Sequence, residues 1–293
     1  MREFSQLINQ LILTRSRNRK IELLNHYFKN TKNPHRGLAL AILTGNLKIK
    51  NISISKIKEL IKKEVDPELF DLSYDYVGDL AETIALIWPY KKKGSVPKLN
   101  FIINEIESSS TTNITNLIKK YLSIFSENER WALIKLLSGG LRIGVSTRLT
   151  KLSLIHSEDI EISEVEQIWH GVVPPYNKLF NWIFGKGAKP EIEVEKVFHP
   201  LMLAHPIEKK DFNNLKPEEF LAEWKWDGIR VQLVLFKSKI SIFSRTGDDI
   251  SHTFPEIQNN ENDLVVLDGE LLVGNDYIPL KFNKLQQRLN RKK

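Results

Sequence analysis

The sequence predicts a multidomain protein, an all-α first part followed by an α+β second part built on an antiparallel sheet. Apolar residues recur at helical spacing through residues 1 to 190, with little strand signal. After Gly185-Lys186-Gly187-Ala188-Lys189-Pro190, which reads as a linker, the period becomes strand-like, so the domains are set at 1–190 and 191–293. Charge divides at the same place: 28 Lys+Arg face 19 Asp+Glu in the first part, and 15 face 17 in the second. A basic part joined to a near-neutral one suits a polyanion clamp attached to a catalytic unit, and equally a helical domain with a lysine-rich surface.

The elements follow in order. Phe4, Leu7, Ile8, Leu11 and Ile12 make one apolar helical stripe, and Ile21, Leu24 and Phe28 make the next, after Ser16-Arg17-Asn18-Arg19. Asn33-Pro34 punctuates before a helix carrying Leu38, Ala41 and Ile42. Asp66-Pro67 starts a long segment that Trp88-Pro89 stops before the loop Lys91-Lys92-Lys93-Gly94-Ser95. Ser126 and Glu129 form a capping box ahead of Trp131, Leu133, Ile134 and Leu137. In the second part, strands are expected at Ile229 to Phe236, Ile240 to Ser244 and Leu264 to Leu272, the first two closed by a tight connection at Lys237-Ser238-Lys239. On the third, Asp268 and Glu270 should share a face if Gly269 makes no bulge.

With 293 residues, 41% of them hydrophobic, the chain can bury sizeable cores. No apolar run approaches the ~20 residues of a membrane span, and Met1-Arg2-Glu3-Phe4 does not open a signal peptide, so a cytoplasmic protein without a membrane partner is expected. The absence of cysteine excludes disulfides and thiolate zinc sites, and the seven histidines show no paired ligand spacing.

Chemistry concentrates in Glu223-Trp224-Lys225-Trp226-Asp227-Gly228-Ile229-Arg230. A lysine becomes a nucleophile when desolvation or neighbouring cations lower its pKa, and apolar strands with basic neighbours can supply both. Two further strings follow at intervals of one strand each, Ser244-Arg245-Thr246-Gly247 and Leu267-Asp268-Gly269-Glu270-Leu271. The series resembles motifs I, Ia and III of the covalent nucleotidyltransferases, most closely the ATP-dependent DNA ligases of bacterial type. Upstream, Phe198-His199-Pro200-Leu201-Met202-Leu203-Ala204 is similar to the segment preceding the nucleotide pocket in these enzymes, with a leucine between Pro200 and Met202.

In the helical part, Leu137-Ser138-Gly139-Gly140-Leu141-Arg142-Ile143-Gly144-Val145-Ser146 resembles a turn of the ligase DNA-binding domain, and Leu43-Thr44-Gly45-Asn46-Leu47-Lys48 echoes it. Such turns expose backbone N–H groups that can take phosphates, and they are also ordinary glycine C-caps. The candidate DNA-binding residues are Thr44, Gly45, Lys48, Gly139, Gly140, Arg142, Gly144, Ser146 and Arg148.

The resemblance implies that Lys225 attacks the α-phosphate of ATP to leave a lysyl-AMP, with Glu223 beside the adenine. Arg230 and Arg245 would hold ribose and phosphates, and Glu270 would accept from the ribose hydroxyls or lie near Mg²⁺. Asp227 would orient the loop, and Asp268 would cap the strand end, hydrogen-bond the turn, or act directly. Gly228 would let the backbone turn and the nucleotide approach. The implied partner is nicked double-stranded DNA, bound by a monomer. Replication, repair and recombination all produce such nicks.

The resemblance runs through Phe282-x-x-Leu285-Gln286-Gln287-Arg288-Leu289 and stops short of motifs IV, V and the OB-fold domain. A fragment or an incomplete reading frame is therefore expected, inactive in self-adenylation by itself and with exposed strand edges. An RNA ligase or capping guanylyltransferase would share Lys225 but not the helical turn. A noncatalytic DNA clamp with a vestigial nucleotide domain is the alternative from another class.

Overall fold

A computed structural model describes residues 1–47, 52–89, 94–110, 113–139, 141–156, 158–202, 204–221, 223–275 and 278–289. Its contacts divide the chain into two units, Met1–Ile160 with Val173–Lys189, and Glu161–Val172 with Pro190–Lys293. The segment Glu161–Val172, expected with the first part, groups with the second because Phe198 N–H donates to Gln167 O at 3.2 Å and the His170 ring packs on Phe243 at 4.6 Å. Among the described residues no helix is long and apolar enough to cross a membrane.

The described part of the first unit is helical: α1 (Arg2–Leu13), α2 (Arg17–Asn30), α3 (His35–Leu43), α4 (Ile54–Lys62), α5 (Pro67–Val77), α6 (Leu80–Ile87), α7 (Leu99–Ser108), α8 (Ile114–Ile124), α9 (Glu127–Leu137) and α10 (Thr147–Leu154). A further helix of this unit, Asn177–Ile183, follows α11 (Ile162–Ile168) of the second unit and is α12. Short polar side chains begin many of these helices because the first amides have no partner within the helix. Ser16, Ser53, Asp66, Asp79 and Ser146 each accept such an amide, and Ser126 with Glu129 closes the expected capping box.

The long segment between Asp66 and Trp88 is two helices. Gly78 takes φ 73°, a left-handed C-cap that costs glycine little, and Asp79 starts the next helix at once. Phe4, Ile8, Leu11, Leu24, Phe28, Leu40, Phe70 and Ile84 are almost fully buried. Ile12, placed on the apolar stripe by its spacing, is 43% exposed. Buried Arg130 donates to Leu122 O at 2.7 Å and Ala85 O at 3.3 Å, satisfying carbonyls near the ends of α8 and α6.

The second unit is built on β1 (Ile229–Phe236), β2 (Lys239–Ser244) and β3 (Val265–Leu271), antiparallel in the order β2-β1-β3. A small hairpin, β4 (Gly274–Asn275) with β5 (Ile278–Pro279), and α13 (Phe282–Leu289) complete the described part. The β1–β2 loop is two residues long, with Lys237 at φ 47° and Ser238 at φ 62°. Positive φ at both positions is the twist-matching primed turn, formed without the Asn-Gly pair that usually announces it.

Side-chain alternation sorts the sheet into two faces. Val231 and Ile242 meet Phe254 and the α13 residue Leu285 on one face. Val234 and Phe243 meet Phe198 on the other. Arg230, Gln232, Asp268 and Glu270 belong to this second face by register, because Arg230 pairs with Glu270 and Gln232 with Asp268. No bulge interrupts β3, so its two acids share a side. β3 is an edge of the described sheet, and its Val266 and Leu267 are exposed.

Candidate functional site

On the second unit, the lysine-bearing string runs exposed and irregular through residues 223–227 and enters β1 at Ile229. Its anchor is Gly228, whose N–H donates to a Glu270 carboxylate oxygen at 3.1 Å. A Cβ on Gly228 would lie 2.4 Å from Leu271 O and 3.0 Å from the Glu270 side chain. The close approach of the β3 end leaves no room for a side chain at this position.

Arg230 donates two hydrogen bonds to Asp268, Nε to one oxygen at 3.0 Å and Nη2 to the other at 2.7 Å. The planar fork matches a carboxylate in this way, and Asp268 raises the guanidinium further above its ordinary range. Asp268 therefore orients Arg230 through both carboxylate oxygens. Gln232, 2% exposed, pairs reciprocally with the backbone of His199, accepting N–H at 2.8 Å and donating to O at 2.7 Å. It fixes the start of the Phe198–Met202 segment along the same face; Leu203 of that segment lies outside the described residues. A polar residue at an inward strand position is the only sequence trace of this contact.

Arg245 sits in the turn after β2, where Gly247 N–H donates to Ser244 O at 2.8 Å and Gly247 adopts φ 77°. His170 bonds the carbonyl of Gly247 and so fixes this turn, another contact the sequence did not announce. The structure brings Gly228, Arg230, Asp268 and Glu270 together. Among the described residues no hydrogen bond or ion pair joins Lys225, Glu223 or Arg245 to them, and all three are exposed. For a cation such as Mg²⁺ the site offers the carboxylate of Glu270, while Asp268 is committed to Arg230. No cluster of three or more metal-ligating side chains exists among the described residues. One carboxylate fits a Mg²⁺ that arrives on a triphosphate and keeps most of its oxygen ligands from phosphate and water.

On the first unit, the two glycine-bearing turns line one cleft of about 960 Å³. Gly45, at φ 73°, ends α3: its N–H donates to Ile42 O at 3.2 Å, and that of Asn46 to Ala41 O at 2.8 Å. This is the Schellman closure, so the ordinary C-cap reading is correct for the local geometry. Asn46 also donates to the Tyr176 hydroxyl at 3.0 Å, holding the turn. The cleft is also lined by Gly139 (φ 77°), Arg142 (φ 44°) and Gly144 (φ 65°), and by Ser146, which accepts the Leu149 amide at 3.2 Å to cap α10. Arg142 is exposed and lines the cleft, in a left-handed conformation few non-glycine residues adopt.

Thr44 and Arg148 do not line this cleft; the Thr44 hydroxyl donates back to Leu40 O at 2.8 Å. Lys48 and Gly140, also candidates, lie outside the described residues.

Two protein-family models match the chain, one described as DNA ligase N terminus over residues 1–154 and one as ATP dependent DNA ligase domain over residues 201–293. A probable DNA ligase of Koribacter versatilis is 26% identical over 100% of this chain and 53% of its own length. DNA ligase 1 of Korarchaeum cryptofilum is 25% identical over 100% of this chain and 57% of its own. A DNA ligase of Nitrosopumilus maritimus is 26% identical, covering 98% and 55%. The chain thus spans about half the length of these curated relatives.

Proposed function

This chain belongs to the ATP-dependent DNA ligase family, and on that premise we propose that it carries the duplex-gripping part and the first half of the adenylation site of an enzyme that seals nicks in double-stranded DNA. The observation that carries the reading is the meeting of Arg230, Asp268 and Glu270 on one sheet face, directly after the Lys225 string.

In the proposed reaction the neutral Lys225 amine attacks the α-phosphorus of ATP. The N–P bond forms as the bond to the β-phosphate oxygen breaks, pyrophosphate leaves, and the lysine loses its proton. AMP then passes to the DNA 5′-phosphate, and the adjacent 3′-hydroxyl displaces it to close the backbone. Arg230, aimed by Asp268, has N–H groups left for ribose or phosphate oxygens. Arg245 would serve the phosphates, Glu223 the adenine, and Glu270 the ribose hydroxyls or the Mg²⁺ that neutralises phosphate charge. Most of the catalysis would be positioning and electrostatics.

The helical unit would grip the duplex as a monomer through Thr44, Gly45, Lys48, Gly139, Gly140, Arg142, Gly144, Ser146 and Arg148. The cleft shared by the two turns supports this most directly at Gly45, Gly139, Arg142, Gly144 and Ser146. Such contacts read backbone and groove shape with little base preference. The same cleft favours a second reading, a chain that binds duplex DNA without adenylating itself.

The test is incubation with α-labelled ATP and Mg²⁺ of this chain, its Lys225→Ala form, and a form extended by the part that the relatives carry beyond the match. Acid-labile label on the extended form that disappears with Lys225→Ala is the expected result. Label on none of the forms, with duplex binding retained, would leave the second reading.

A further inference from the structure

We infer that Lys20, a residue no motif includes, is the positioning residue of the Arg142–Ser146 turn: its ammonium holds two carbonyls of that turn inward and thereby faces two amides toward a DNA phosphate. The inference rests on the duplex-gripping reading of the first unit and assigns that grip an internal support.

Lys20 lies on α2 and is 8% exposed. Its Nζ donates to Ile143 O at 2.9 Å and Gly144 O at 3.1 Å, across more than 120 residues of sequence. Among the described residues no carboxylate pairs with it. Burying an ammonium is costly, and here two carbonyl dipoles supply the compensation that a counter-ion would otherwise give. The arrangement is tight from the other side as well, since a Cβ on Gly144 would lie 2.7 Å from Nζ. A side chain at 144 and the ammonium compete for one space.

The consequence follows from peptide geometry. In a planar trans peptide the C=O and the next N–H point in opposite directions. Turning Ile143 O and Gly144 O toward Lys20 therefore turns the N–H groups of Gly144 and Val145 away from it. Both residues line the cleft, and among the described residues neither amide donates a backbone hydrogen bond. Two consecutive outward amides, backed by a buried positive charge, form an anion-receiving concavity of the nest kind. Without the latch the left-handed turn at Arg142 and Gly144 loses the contact that orients its carbonyls, and the amides lose their common direction.

The experiment compares the unaltered chain with Lys20→Met, which keeps the apolar stem and removes the donors, below the melting transition of both. Backbone amide resonances of Gly144 and Val145 are followed while a short blunt duplex is added, and affinity is read from the same titration. Both amides should shift in the unaltered chain, and in Lys20→Met that response should vanish and affinity fall about tenfold, the worth of one charge-assisted hydrogen bond. Lys20→Arg should restore part of both.

If Lys20→Met does not fold, Lys20→Gln replaces it, keeping a polar side chain at the position without the ammonium, and the same loss is expected. An unchanged amide response and affinity in a folded variant would overturn the inference and leave Lys20 a packing residue. No response to duplex anywhere in the unaltered chain would instead overturn the DNA reading, and with it the role given to the latch.

Discussion

Arg230 sits opposite Glu270 in the strand register, yet its guanidinium reaches diagonally to Asp268, two residues along, and takes both carboxylate oxygens at 3.0 and 2.7 Å. Glu270 is left to accept the Gly228 amide. Two acids on one strand face thus divide the work, one aiming a cation and the other fixing the chain that follows Lys225. Replacing Asp268 by Asn substitutes an amide N–H for one acceptor of the fork. On the proposed reading, lysyl-AMP formation in the extended form should drop roughly tenfold, while unfolding free energy changes by less than about 1 kcal/mol because the pair is partly exposed. Equal labelling by Asp268→Asn and the unaltered protein would remove Asp268 from the site.

Arg142 stands exposed on the cleft of the first unit. A side chain that neutralises one phosphate releases about one condensed counter-ion, so Arg142→Ala should lower the slope of log affinity against log salt by roughly one. Duplexes of different sequence should weaken alike. A sequence-dependent loss in parallel titrations would mean that Arg142 reads bases.

Gly228 is hemmed in by Leu271 O and the Glu270 side chain. Gly228→Ala should overpack this approach and destabilise the second unit by about 1–3 kcal/mol. Chemical denaturation followed through the tryptophans measures it. A variant as stable as the parent would show that the strands separate freely there.

Asp79 caps α6 and pairs with Lys135. Burial raises its carboxyl, but the Lys135 ammonium and the amides of Glu82 and Ala81 outweigh burial and hold it below its ordinary value. A carboxyl depressed in the folded state adds stability above its unfolded pKa, and loses it as pH falls through the folded value. Asp79→Asn, which still caps, should therefore cost less than about 1 kcal/mol at neutral pH. Melting curves taken into acid should converge below the usual carboxylate range. A constant difference at all pH values would assign the effect to packing.

Lys237 and Ser238 hold left-handed φ in a two-residue hairpin. The double substitution Lys237→Asn with Ser238→Gly supplies the residues that this turn prefers and should raise stability by roughly 1 kcal/mol. Thermal unfolding reads the gain, and a loss would show that the lysine or serine side chain contributes elsewhere.

Much of the architecture was legible because it is local. Helical spacing, the Ser126–Glu129 box, the Asp66-Pro67 start and the alternation of β1 each act within a few residues, so the chain carries them in plain order. The split at Gly78-Asp79 is hidden in the sequence because a glycine C-cap and an N-cap in immediate succession leave no loop between the helices. Ile12 misled because it lies at the rim of an apolar stripe whose centre is Phe4, Ile8 and Leu11.

The sequence by itself determined a helical first part followed by strands, the three main strands to within a residue at each end, the strings at Lys225, Arg245 and Glu270, and the two turns whose glycines end helices. Only the tertiary structure decided that Asp268 pairs with Arg230, that the end of β3 closes on Gly228, that Gln232 and His170 fix neighbouring backbone, and that Lys20 lies beneath Gly144. The reason is physical. Caps and periodicity are settled by backbone groups a few residues apart, whereas a carboxylate or an ammonium finds its partner through strand register and helix packing, which join residues from 30 to more than 120 positions distant.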